Sequence, residues 1–178
     1  MPGLYGQNPN RINEIWFSGV EIPRTASTFE TYAERFPDIE SRLSSSNLIL
    51  DLAAGDAVFA DHVNSNALYT SKVIRCDIGY KEGPPNDRQL AVAGSALEIP
   101  FIARSFDVVL SSLFIMHLKP AQQVKVATEI GRILKPGGRA LLYRHKTCSD
   151  PEYLHKIPTL DPSTITIKGL LATVISRH

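Results

Sequence analysis

The stretch Asn47 to Val63, NLILDLAAGDAVFADHV, constrains the fold more than any other part of the chain. An apolar run of strand length enters a turn of small residues, and a short amphipathic helical stretch leaves it. That order opens parallel sheets whose ligand sits beyond the carboxyl ends of the strands. A dinucleotide at such a turn calls for GxGxxG, so that backbone amides and a helix N-terminus can hold a pyrophosphate. The turn here, DLAAGDA, has Gly55 alone, with Ala53 and Ala57 about it, and brings Asp51 and Asp56 to one mouth. Two carboxylates repel a phosphate and favour a cation. A nicotinamide-dependent enzyme is therefore excluded, and a cationic ligand is expected.

The rest of the chain follows the same grammar. Apolar strand runs at NLILDL, KVIRCDI, LAVAGSA, FDVVLSS and RALLYRH are interleaved with helical or loop stretches, which predicts a mostly parallel sheet covered on both faces. The clearest helix is expected over about 120–134, with proline in its first turn and Val124, Ala127, Ile130 and Leu134 on one stripe; Lys135 to Gly138, KPGG, stops it. STFETYAERF reads as a helix opened by a Ser27/Glu30 capping box, with a second short piece at PDIESRL. Residues 1–26, rich in Gly, Pro and Asn, read as an irregular arm, and STITIKGLLATVISRH reads as a closing strand pair about Gly169. Between the second and third strands, GYKEGPPNDR has too many glycines and prolines for a regular crossover helix.

Composition narrows the classes. At 178 residues, 43% hydrophobic and 21% charged, the chain suits one globular domain with a proper core. A formal net charge of +1 offers no electrostatic case for a nucleic-acid surface. Cys76 and Cys148 form neither a disulfide framework nor a metal-spaced cluster, so a reduced, cytoplasmic setting is expected. His145, His155 and His178 lack ligand spacing, and no metal is expected. The N-terminus has no apolar core of the signal-peptide kind. The longest apolar run, DVVLSSLFIMHL, is shorter than the roughly 18 residues that span a bilayer. No membrane association is expected.

A cationic nucleoside without phosphate is S-adenosylmethionine, and five segments carry a family resemblance in that direction. LILDLAAGDAVFA, VIRCD, GSALEIPF, SFDVVLSSLFIMHL and EIGRILKPGGRALL, in this order, resemble the successive motifs of class I S-adenosylmethionine-dependent methyltransferases, of the methyltransferase type 11-like kind. The resemblance runs from Asn47 to about Tyr143. It implies a three-layer, Rossmann-like α/β sandwich with a mostly parallel seven-stranded sheet whose last strand is antiparallel. Residues 1–46 would then be an N-terminal arm and lid helix, and 47–178 the cofactor-binding domain. The resemblance further implies that Asp51 helps place the methionine end of the cofactor, with Ala53 and Gly55 lining the loop. Asp77 matches the acid that binds the ribose hydroxyls. Ser95, Ala96 and Leu97 match the segment along the adenine, Ser95 standing where an Asp is common. Ser112 and Leu113 fall where the family lines the methyl-donor pocket.

Several residues carry two readings from sequence alone. Asp56 is a cofactor-side acid or the N-cap of the next helix. His117 is a general base or a packed or capping histidine. Tyr5, Trp16, Tyr32 and Phe36 are an aromatic lid or core. The expected activity is methyl transfer to a small-molecule acceptor, because SSLF, not an NPPY-type tetrapeptide, follows the fourth strand. The alternatives are a macromolecular acceptor, RNA or protein, and an inactive methyltransferase-like scaffold that docks a partner at the sheet face near residues 79–88.

Overall fold

Near-continuous burial along the central strands, with neighbouring residues facing opposite sides, builds the layers. The structure, a computed structural model, describes residues 14–17, 20–23, 29–36, 39–45, 47–55, 58–82, 90–144, 160–167 and 170–177. In chain order the strands are β1 (Glu14–Phe17), β2 (Val20–Pro23), β3 (Leu48–Leu52), β4 (Lys72–Asp77), β5 (Ala91–Ala93), β6 (Phe106–Ser112), β7 (Leu134–Arg144), β8 (Leu160–Ile167) and β9 (Leu170–Arg177). The helices are α1 (Phe29–Arg35), α2 (Ile39–Leu43), α3 (Phe59–Ser65) and α4 (Pro120–Ile133).

Five strands run parallel in the order β5-β4-β3-β6-β7. On one face Leu50, Leu52, Cys76, Val109, Ala140 and Leu142 meet Val126, Ala127, Ile130 and Ile133 of α4. On the other, Ile49, Val73, Val108, Leu110, Leu141 and Tyr143 meet Tyr32, Phe36, Ile39, Leu43, Phe59 and Val63 of α1, α2 and α3. Neighbouring residues of one strand thus serve opposite layers, as a pleated backbone requires. Beyond β7, β9 pairs antiparallel with it, and β8 pairs antiparallel with β9.

The structure revises several local expectations. Within the arm, β1 and β2 form an antiparallel hairpin, Ile15 opposite Ile22 and Trp16 opposite Glu21. The signal was present: β-prone residues on both sides of a Ser-Gly dipeptide. α4 turns Val126 and Ile133 inward and leaves Val124 at 37% exposure. Of the expected stripe, Ala127, Ile130 and Leu134 are buried and Val124 alone is not. KPGG does not separate α4 from β7. The strand starts at Leu134, and Lys135 to Gly138 form an irregular entry where the β6 register shifts between Phe106 and Val108. Gly137 there has φ +77°, and a Cβ on Gly138 would lie 2.9 Å from the Lys135 carbonyl oxygen, so both positions require glycine. The second-to-third strand connection starts as a 3-10 helix, Ile78–Glu82. Its remainder, 83–89, lies outside the described residues. So do Tyr5, Ser27, Asp56, Ala57, Cys148, His145, His155 and His178.

Candidate functional site

Parallel strands deliver their carboxyl ends to one edge, and β3 stands where the order reverses, with β4 on one side and β6 on the other. A crevice forms at such a switch point. Asp51 and Leu52 end β3, Asp77 ends β4 and Ser112 ends β6. Ala53 and Gly55 turn away from β3 at φ +59° and +55°. Gly55 adopts that conformation freely, whereas Ala53 holds it at a steric cost of about 1–2 kcal/mol. The loop is tied back to β4, for the Ala53 N–H donates to the Cys76 carbonyl at 2.8 Å.

Asp77 organises this mouth. Its two carboxylate oxygens accept the N–H of Gly55 at 2.9 Å and of Gly79 at 2.8 Å, and only 4% of the residue is exposed. Asp51, fully buried on the next strand, accepts the Tyr32 hydroxyl on Oδ1 at 2.8 Å and on Oδ2 at 2.9 Å. Burial pushes the Asp51 carboxyl up to about 7, against the Tyr32 hydrogen bond and the Arg75 charge, which hold it down; the Asp77 charge raises it further. The two acids are therefore electrostatic neighbours.

Arg75 lies opposite Asp51 in the β3–β4 register and is 1% exposed. Its guanidinium lies 3.9 Å from Asp61 of α3 and 5.7 Å from the centre of the Tyr80 ring. Tyr80 donates its hydroxyl to the Gly55 carbonyl. Neither Arg75 nor Tyr80 was expected from the sequence to take part. An arginine inside the apolar run VIRCD was the available signal, since a charge at a buried strand position demands partners.

The remaining residues of the expected site divide. The segment after β5 folds back on itself: the Ser95 hydroxyl accepts the Leu97 N–H at 3.2 Å, and Ala96 and Leu97 pack against the α4-side core. Gly94 is needed there, because a Cβ would come within 2.6 Å of Pro100 and 3.0 Å of Cys76 Sγ. After β6, Leu113 takes φ +56°, uncommon for so bulky a residue, and donates its N–H to the Tyr143 carbonyl at 2.8 Å. His117 ends the 3-10 helix Ile115–His117, half-buried. Burial lowers its pKa, and a hydrogen bond to the Leu113 backbone works the other way. α3 begins at Phe59 with Val58 in its cap position, and Asp56 lies outside the described residues. Tyr32 and Phe36 are core residues at 1% and 2% exposure. Tyr32 nevertheless reaches the site through Asp51, a link that no sequence spacing encodes. Among the described residues, no group of three or more His, Cys, Asp or Glu could hold a metal, and no helix is long and apolar enough to cross a membrane.

This geometry has relatives. A methyltransferase-named protein of Encephalitozoon cuniculi is 40% identical over 81 residues, 41% of this chain and 39% of that one. The demethylmenaquinone methyltransferase of Beutenbergia cavernae is 33% identical over 103 residues, 56% of this chain and 41% of that one. The chain thus spans about two fifths of the length of the curated relatives it matches. Among solved structures, the Burkholderia thailandensis 1,6-didemethyltoxoflavin-N1-methyltransferase, crystallised with 1,6-didemethyltoxoflavin and S-adenosylhomocysteine, superposes with a TM-score of 0.61. It is 18% identical, over 82% of this chain and 78% of that one, a likeness of fold. Residues 50–142 match the family described as a methyltransferase domain. With that match covering more than half of its length, the chain belongs to the methyltransferase-domain family, as a class I S-adenosylmethionine-dependent methyltransferase domain.

Proposed function

We propose that the chain transfers a methyl group from S-adenosylmethionine to a small-molecule acceptor. The observation that carries this reading is the pair of buried acids at adjacent strand ends, Asp51 and Asp77, gathered about a single loop glycine. The residues suit the cofactor. Asp77, the carboxylate that ends β4, would accept the ribose hydroxyls. Asp51 would set a negative charge toward the cationic methionine end, with Ala53 and Gly55 giving close backbone approach. Ser95, Ala96 and Leu97 would lie along the adenine, with Ser95 Oγ already engaged by the Leu97 amide. Ser112 and Leu113 would line the donor pocket. S-adenosylmethionine, when bound, supplies a methyl group on a cationic sulfur that leaves as a neutral thioether.

What the protein adds is orientation and exclusion of water. His117, its pKa lowered by burial, is held neutral near pH 7 and is our candidate to take a proton from the acceptor. α1, outside the matched residues 50–142, adds to the donor site through the Tyr32 hydroxyl on Asp51. β8 and β9 complete a seven-stranded sheet with the last strand antiparallel, a reading supported by the β7–β9 and β8–β9 pairings. The small-molecule acceptor is supported by the names of two relatives, which act on demethylmenaquinone and on 1,6-didemethyltoxoflavin. The test is incubation with methyl-tritiated S-adenosylmethionine and a cell extract split by size filtration. Label in the small-molecule fraction is expected; label only in protein or RNA would overturn the small-acceptor reading.

A further inference from the structure

We propose that Arg75 and Tyr80 are positioning residues of the donor site: Arg75 supports the Tyr80 ring, and the Tyr80 hydroxyl pins the Gly55 carbonyl so that the Gly55 amide stays on Asp77. This rests on the methyl-donor reading above. The physical problem it answers is local. The loop after β3 has alanine at 53, held at positive φ, and its sole glycine among residues 51–57 is Gly55. Such a loop needs an outside tether to keep one conformation.

The tether is visible on both sides of the Gly55 residue. Its N–H donates to Asp77 Oδ2 at 2.9 Å and its carbonyl accepts the Tyr80 hydroxyl. Both partners come from β4 and the 3-10 helix that follows it, three residues apart. Gly79, between them, gives its N–H to the other Asp77 oxygen at 2.8 Å, which fixes the direction in which Tyr80 leaves the strand. Tyr80 is 7% exposed, so its hydroxyl requires a protein partner, and the Gly55 carbonyl supplies it. Beneath the ring lies the Arg75 guanidinium, 5.7 Å from its centre, a cation–π distance. Asp61, in the first turn of the helix leaving the loop, closes the circuit at 3.9 Å from Arg75. The loop is thereby held at its glycine and, through α3, at its exit by side chains of β4 and its 3-10 helix.

The donor site gains preorganisation: Asp77 is kept facing the ligand without having to capture a mobile loop as it binds. Tyr80→Phe removes only the hydroxyl. One neutral hydrogen bond corresponds to a loss of about three- to tenfold in affinity for S-adenosylmethionine. Arg75→Lys keeps the cation under the ring and is expected to bind nearly as the wild type does. Arg75→Met loses it and is expected to fall into line with Tyr80→Phe.

Affinity is measured by calorimetric titration with S-adenosylmethionine, and loop mobility by amide hydrogen exchange of the peptide covering residues 50–57 in the ligand-free protein. The expected result is weaker binding together with faster exchange in Tyr80→Phe and Arg75→Met, both restored in Arg75→Lys. Unchanged binding and exchange in Tyr80→Phe would overturn the proposal, as would tighter binding, which would make Tyr80 an obstacle in the site. If the folded wild type does not bind, the methyl-donor reading fails, and the exchange measurement still judges the tether itself.

Discussion

Replacing Asp51 with asparagine tests whether the β3 acid is held as a stored electrostatic cost. The carboxyl is fully buried, meets the Tyr32 hydroxyl with both oxygens, and is raised from 3.8 to about 7. An acid whose folded pKa lies above its unfolded value binds its proton more tightly in the native state. Native stability therefore falls as pH rises from about 4 to about 7 and is level above that. The full span corresponds to about 4 kcal/mol, of which about 2–3 kcal/mol falls between pH 5 and pH 8. Asp51→Asn keeps an oxygen for Tyr32 and removes the titration. Urea unfolding of both proteins across that range is the assay. The wild type is expected to lose about 2–3 kcal/mol relative to the variant on going from pH 5 to pH 8. Affinity for S-adenosylmethionine should move the opposite way in the wild type, rising with pH as the carboxylate forms beside a cation, and stay flat in the variant. A wild-type-minus-variant stability difference constant across the range would refute the reasoning.

Other consequences are simpler to read. Ala53→Gly relieves a positive φ of 59° and is expected to stabilise the fold by about 0.5–1 kcal/mol, read as a higher midpoint in urea. Gly94→Ala places a Cβ 2.6 Å from the Pro100 ring and should destabilise by about 1–3 kcal/mol in the same assay. Once an acceptor is identified, His117→Asn should lower kcat by about a hundredfold if that acceptor must lose a proton. The wild-type rate should then hold to below pH 6.5, because burial lowers the His117 pKa.

The central strands were legible because each is a short apolar run bounded by turn chemistry. Asp51 and Asp77 stood out because a carboxylate at the end of such a run needs a reason to be there. The hairpin Glu14–Phe17 and Val20–Pro23 was missed because the Gly, Pro and Asn content around it masked two short β-prone runs. The partners of the acids were hidden for a different cause. Tyr32 meets Asp51 across 19 positions of sequence, and Tyr80 meets Gly55 across 25, contacts that only the stacking of α1 and β4 around the loop creates. Local periodicity places a residue on a face; it does not say which residue of another element it will touch. The α4 stripe shows the same limit on a smaller scale, since Ala127, Ile130 and Leu134 are buried as expected while Val124 is exposed and Val126 and Ile133 turn inward.

The central claim is that these strand-end acids hold S-adenosylmethionine, and calorimetric titration of the wild type and of Asp77→Ala tests it most directly. The account predicts micromolar wild-type binding, about −8 kcal/mol, and at least a tenfold loss when the Asp77 carboxylate is removed from a protein whose circular dichroism shows it folded. Equal affinity in the two proteins, or no binding by a folded wild type, would contradict it.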